Sequence, residues 1–127
     1  MISSYDPLKA PDPDNWLALD ESQRNQLVLQ YHRQAGIEVA NEKIHAVIHV
    51  IVENQAAQED LTPVNDALQR LMDEGLDRHG AIHAIGSVLI KHMTQAANSD
   101  DQKGGVSSAY YDEVKNITLE KWREQYT

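Results

Sequence analysis

The sequence predicts an all-α fold, with four main helices and a C-terminal fifth arranged as a helical bundle or an irregular helical array. Two observations carry this prediction. Apolar side chains recur at helical spacings, and N-cap residues and glycines separate the apolar segments. The chain has 127 residues, of which 41% are hydrophobic, so it is long enough for one domain with an apolar core. Since the sequence contains no phenylalanine, aliphatic side chains, two tryptophans and five tyrosines must fill that core.

The start of the chain is rich in proline and aspartate, and residues 1–15 are predicted to form an extended arm with turns. Each proline disfavours helical backbone at the residue before it. The prolines concerned are Pro7, Pro11 and Pro13. The arm ends at an apolar segment that is expected to dock on the helical body, formed by Trp16, Leu17 and Leu19.

The first two long helices have recognisable boundaries. Asp20 is a favourable N-cap, Gln23 completes a capping box with it, and Gly36 is expected to end the helix. Asn41 is expected to cap a second helix that runs to about Gln58. The second segment is rich in β-branched residues, which also suit a strand. Its length and the recurrence of polar residues at four-residue steps favour a helix.

The next two helices are predicted to form a tight hairpin. Thr62 is expected to cap the third helix, and Pro63 suits its first position. Gly75 ends this helix, and Asp77 caps the fourth almost immediately.

The predicted domain organisation has three parts. Residues 1–97 form a helical domain with its proline-rich arm, and residues 98–107 form a polar, glycine-containing flexible linker. Residues 108–127 form a C-terminal helix that is expected to dock on the body or on a partner subunit. This helix is therefore the predicted surface for a homo-oligomer or a protein partner.

Charge and cysteine content exclude several functional classes. The formal net charge of −9 argues against nucleic-acid binding, which depends on neutralising phosphates, and fits a cytoplasmic protein. The sequence contains no cysteine, so disulfides, thiolate zinc sites and cysteine nucleophiles are excluded. Its first residues do not resemble a signal peptide, and no apolar run is long enough for a membrane span.

Two pairs of histidines are the most informative chemical feature of the sequence. His45 and His49 are four residues apart, Glu53 follows after four more, and His79 and His83 repeat the spacing. Side chains at this spacing share one face of a helix. If the second and fourth helices are neighbours, these five side chains can hold one divalent metal ion, with zinc, iron, manganese or nickel as candidates.

A structural interpretation of the histidines stays open. The stripe of His45 and His49 could form the polar face of an amphipathic helix, whereas the stripe of His79 and His83 continues into Gly86 and Ile90 and is expected to be half-buried. The two remaining histidines, His32 and His92, stand alone and are expected to be structural.

The sequence predicts no particular reaction. The leading hypothesis is a small metal-binding protein of unknown activity, and the alternatives are a non-catalytic interaction module with structural histidines and a metal-dependent hydrolase.

Three segments resemble a small bacterial family catalogued only as a domain of unknown function, the one numbered 1841. They begin at Tyr5 (YDPLKAPDPDNWL), at His45 (HAVIHVIVENQ) and at Gly75 (GLDRHGAIHAIGSVL). The resemblance covers residues 5–95 and implies that the paired histidines belong to the family pattern, but it implies no activity.

A second resemblance is to the di-iron helical bundles of hemerythrin-like proteins, which bind oxygen. His49-x-x-x-Glu53 and His79-x-x-x-His83 are similar to two of their helix motifs, so these four residues would be the ligands. The third motif, His-x-x-x-x-Asp, is missing, since Ala97 follows His92 at that spacing.

Overall fold

A computed structural model describes residues 2–97 and 108–126, and these parts of the chain are all-helical. Their helices, in chain order, are α1 (Pro13–Ala18), α2 (Glu21–Gln34), α3 (Glu42–Ala57), α4 (Val64–Asp73), α5 (Arg78–Ala97), α6 (Ser108–Asn116) and α7 (Leu119–Tyr126). The predicted all-α class is therefore confirmed, although the predicted number of helices is too low. The predicted flexible linker over 98–107 lies outside the described residues.

The prediction that residues 13–15 are extended is wrong, because they begin the short helix α1. The Asp12 side chain accepts a hydrogen bond from the backbone N–H of Asn15, and Pro13 occupies the first turn. Proline is tolerated there because the first N–H groups of a helix have no intrahelical partner. Trp16 on α1 is fully buried, and its indole N–H donates to the side-chain oxygen of Asn54 on α3.

The boundaries of α2 and α3 follow the predicted local signals. Asp20 and Gln23 form the expected capping box, and Gly36 has the positive φ of 70° that favours glycine after a helix. The Asn41 side chain accepts a hydrogen bond from the backbone N–H of Ile44 and caps α3.

The C-terminal segment contains two helices where one was predicted. The helices α6 and α7 are separated by residues 117–118, and both Ile117 within the break and Leu119, the first residue of α7, are buried. In one continuous helix, residues two positions apart would point about 200° apart. The break lets both side chains enter the apolar core, together with Tyr110 and Val114 of α6.

Helix α3 contributes to both apolar clusters of the described structure. Its Val52 and Ala56 belong to the larger cluster, which also includes side chains of α4, α5 and α6. Its Ala46 and Val50 belong to the smaller cluster, which includes side chains of α2 and the N-terminal segment. This position places α3 between α2 and α5 and thereby positions the histidines. In the described parts of the chain, no helix is long and apolar enough to span a bilayer.

Candidate metal centre

Five histidines from three helices meet in one cluster. Each offers one ring nitrogen as a ligand atom, and these atoms all lie within 4.8 Å of one another. We call them the histidine cluster: His32 on α2, His45 and His49 on α3, and His79 and His83 on α5. The condition stated from the sequence, that the helices carrying the two histidine pairs are neighbours, is therefore met.

His49 lies at the centre of the closest contacts. Its Nε2 atom is 3.1 Å from Nε2 of His83 and 3.3 Å from Nε2 of His79. A third contact joins Nε2 of His45 to Nε2 of His32 at 3.1 Å. The Nε2 atoms of several rings therefore point into one shared space.

The cluster has a buried side and a more accessible side. His32 and His49 are only 3% and 1% exposed, whereas His45 and His79 are half-buried and His83 is partly exposed. The expectation that the His45–His49 stripe could be a solvent face is therefore wrong for His49. Helix α2 covers this side of α3, and the apolar periodicity of α3 alone could not show that.

His32 joins the cluster although the sequence suggested a structural role for it. It lies one turn after the buried Val28 on the face of α2 that packs inward. A histidine in phase with a buried aliphatic residue is the one local signal that could have identified it. Its Nδ1 atom lies 2.9 Å from the backbone oxygen of Val28. Since a carbonyl oxygen only accepts, Nδ1 carries a proton, and in the neutral form of the ring Nε2 then keeps its lone pair.

Glu53, the carboxylate of the predicted ligand set, lies outside this five-histidine group and has other partners. Its two oxygens accept hydrogen bonds at 2.8 and 2.7 Å from the guanidinium of Arg78, and Oε2 also lies 2.5 Å from the Tyr5 hydroxyl. The carboxylate and the guanidinium are almost completely buried, at 1% and 6% side-chain exposure. Glu53 is one of the four ligands implied by the hemerythrin-like resemblance, and its carboxylate is held in an ion pair with Arg78.

Tyr5 connects this ion pair to the cluster. Its hydroxyl lies 3.2 Å from Nδ1 of His49, and its ring stands edge-on to the imidazole with 6.0 Å between centroids. Arg78 also donates to the backbone oxygen of Pro7, which fastens the N-terminal arm beside Tyr5. Sequence reasoning missed both Tyr5 and Arg78, because their contacts join residues far apart in the chain.

His92 is the one histidine outside the cluster, as expected for a structural residue. Its Nε2 atom lies 2.9 Å from the carboxylate of Glu113 on α6, which also binds Lys91 and the Tyr126 hydroxyl. These contacts connect α5 to both C-terminal helices. They make His92 a suitable control position for experiments on the cluster.

Burial and mutual repulsion favour the neutral form of four rings of the cluster, those of His45, His49, His79 and His83. Burial, followed by the neighbouring imidazoles, lowers the pKa of His49 to about 2 and that of His83 to about 4. Burial also lowers the pKa of His45 and of His79 below the usual value for histidine. Near pH 7 these rings are uncharged, which is the state that binds a metal.

Comparison with models of protein families, with curated proteins and with solved structures gave no match.

Proposed function

We propose that the histidine cluster binds one divalent transition-metal ion. The observation that carries this proposal is the convergence of five ring nitrogens within 4.8 Å. Two nitrogens bound to the same ion, at about 2.1 Å each, can be at most about 4.2 Å apart. If the widest pair lies trans across the ion, it has to close by about 0.6 Å, whereas a tetrahedral ion needs only four of the five nitrogens.

The shortest distances in the cluster also suit coordination. Neighbouring ligands of one ion are separated by about 3.0 Å at right angles and about 3.4 Å at the tetrahedral angle, for bonds of about 2.1 Å. The contacts of His49 with His83 and His79, at 3.1 and 3.3 Å, fall in this range. An ion between these rings would replace close nitrogen–nitrogen contacts with bonds.

The chemistry of the donors indicates which metals are suitable. Imidazole is a good ligand for zinc, nickel and iron, whereas manganese prefers carboxylates, carbonyls and water. The nearby carboxylate of Glu53 is already bound by Arg78 and Tyr5. Among the candidates from the sequence, zinc, nickel and iron are therefore favoured over manganese.

A titration of metal-free protein, produced without a histidine tag, tests the proposal. Calorimetry with Zn²⁺ and with Ni²⁺ should show one ion bound per chain. His49→Gln should weaken binding strongly, since His49 makes two of the three closest contacts. His92→Gln is the matched control and should leave the affinity unchanged. Wild-type protein that binds neither ion, or a His49→Gln variant that binds as tightly as the wild type, would overturn the proposal.

The same titration separates the alternative classes. In metal-free protein the close nitrogen pairs serve as N–H···N hydrogen bonds between neutral rings. A cluster that stays metal-free at millimolar Zn²⁺ would be a structural feature, which is the expectation for an interaction module. A metal-dependent hydrolase requires bound metal and, in addition, a position on it open to water.

A further inference from the structure

A buried chain of four side chains ends on the central histidine of the cluster. Arg78 binds Glu53 through two hydrogen bonds, Glu53 binds the hydroxyl of Tyr5, and that hydroxyl contacts Nδ1 of His49. Tyr5 and His49 are 44 residues apart in the sequence, and Tyr5 is only 6% exposed. The phenol of Tyr5 is therefore held in the interior of the protein, between the carboxylate of Glu53 and the imidazole of His49.

The direction of each hydrogen bond in this chain follows from the donors available. Arg78 can only donate, so both oxygens of Glu53 act as acceptors. Burial, followed by the nearby Glu53, raises the pKa of Tyr5 well above its usual value, so the phenol keeps its proton. That proton lies on the 2.5 Å contact with Glu53, where the acceptor is a carboxylate.

The remaining contact of the phenol must then be one in which its oxygen accepts. The Tyr5 hydroxyl has a single proton, which it donates to Glu53, so the ring N–H of His49 donates to the phenol oxygen. A neutral imidazole has one N–H. With the proton on Nδ1, Nε2 keeps its lone pair, and Nε2 is the atom that faces His79 and His83.

We propose that Tyr5 is a positioning residue of the metal centre, which holds His49 in the tautomer and orientation that present Nε2 to the ion. This inference rests on the proposed function. Metal-binding histidines commonly donate their second ring N–H to an oxygen acceptor, and removal of that acceptor typically weakens metal binding by 10–100-fold.

The second buried ring of the cluster shows the same arrangement with a different acceptor. His32 directs Nδ1 to the backbone oxygen of Val28 at 2.9 Å and Nε2 towards His45. Both fully buried histidines therefore have their protonated nitrogen turned away from the shared space. The acceptor that holds this nitrogen is the backbone carbonyl of Val28 for His32 and the hydroxyl of Tyr5, in the N-terminal arm, for His49.

Tyr5→Phe removes the hydroxyl and keeps the ring that packs against His49 and Trp16. We expect the dissociation constant for Zn²⁺ to rise by about 10–100-fold in this variant. Tyr31→Phe is the matched control, because it also removes one phenol hydroxyl and keeps the ring contacts of residue 31 with His32 and His79. Its dissociation constant should equal that of the wild type.

The tautomer of His49 gives a second measurement that needs no metal. Nitrogen-15 NMR of the metal-free wild type near pH 7 should show the His49 proton on Nδ1, and in Tyr5→Phe the ring should become a mixture of tautomers. A purely structural role for Tyr5 would lower stability and leave both the zinc affinity and the tautomer unchanged.

The outcomes distinguish this inference from the proposed function. If the wild type binds zinc and Tyr5→Phe binds it equally well, the role of Tyr5 is wrong and the metal site stands. A wild type with its His49 proton on Nε2 would likewise overturn the role of Tyr5, even if Tyr5→Phe failed to fold. If the wild type binds no metal, both proposals fail together.

Discussion

The Nε2 atoms of His49 and His83 lie 3.1 Å apart across the interface between α3 and α5, although 34 residues separate them in the sequence. The contact of Glu53 with Arg78 lies further along the same interface, later on α3 and earlier on α5. The two helices are therefore antiparallel. This orientation places the first turns of α5 beside the middle of α3, which brings the two histidine pairs together.

Bound zinc should stabilise the folded protein. A ligand at about 100 times its dissociation constant adds about 2.7 kcal/mol to the free energy of unfolding. For a chain of this size, we expect the melting temperature to rise by about 5–15 °C. Calorimetric melting with Zn²⁺, and again after a chelator is added, measures the effect. A melting temperature that changes with neither Zn²⁺ nor the chelator would contradict binding of zinc to the folded state.

The stability of the metal-free protein should fall as the pH drops below about 6.5. In the unfolded chain each histidine binds a proton near that pH. In the fold the pKa of His83 is about 4 and that of His49 about 2. Between pH 6.5 and each of these folded values, the unfolded state therefore holds more protons than the folded state. The contribution of these histidines to the free energy of unfolding is fully present above pH 6.5 and is lost as the pH falls.

The size of this pH effect can be measured with denaturant. Allowing for solvent screening of the partly exposed His83, we expect its contribution to the free energy of unfolding to fall by about 1 kcal/mol between pH 6.5 and 5. Urea unfolding of the wild type and of a variant with both His79→Gln and His83→Gln should show a shallower pH dependence in the variant. Parallel curves would mean that these two rings titrate alike in the folded and unfolded states.

Arg78→Met should destabilise the protein by about 3–5 kcal/mol, because it leaves the buried carboxylate of Glu53 without its cation. Arg33→Met is the matched control. Arg33 pairs with Glu42 at 2.6 Å, but both side chains are largely in solvent, so this change should have little effect. Urea unfolding at neutral pH compares the two. Equal effects of both substitutions would show that burial does not set the strength of the Arg78 pair.

Gly86→Ala should force α3 and α5 apart. A Cβ atom at Gly86 would lie 2.9 Å from Cγ2 of Ile48, which is too close for unstrained packing. Overpacking of this kind costs about 1–3 kcal/mol, which outweighs the gain of about 0.5–1 kcal/mol from replacing a glycine within a helix. We therefore expect a net loss of stability and weaker zinc binding.

The control for Gly86→Ala is the same change in an Ile48→Ala background. The methyl group that obstructs the new Cβ is then absent, so only the gain in helix propensity remains. The substitution should stabilise that background by about 0.5–1 kcal/mol. If Gly86→Ala changes the free energy of unfolding in the same direction in both backgrounds, Ile48 is not the obstacle.

Most helix boundaries could be predicted from the sequence because their causes are local. The capping box of Asp20 and Gln23 and the Asn41 cap each act within one turn of the chain. The short helix α1 has an equally local cause in Asp12 and Pro13, but the prolines were interpreted as favouring an extended arm. The break between α6 and α7 has a tertiary cause, since both Ile117 and Leu119 pack into the core.

The sequence by itself determined that His45 and His49 share one helix face, and likewise His79 and His83, because helical geometry places residues four apart on the same side. Only the tertiary structure decided that these faces meet, that His32 joins them and that Tyr5 contacts His49. The physical reason is the range of the interactions. Hydrogen bonds within a helix relate near neighbours, whereas the pairing of faces depends on packing between helices distant in the chain, such as Ile48 against Gly86.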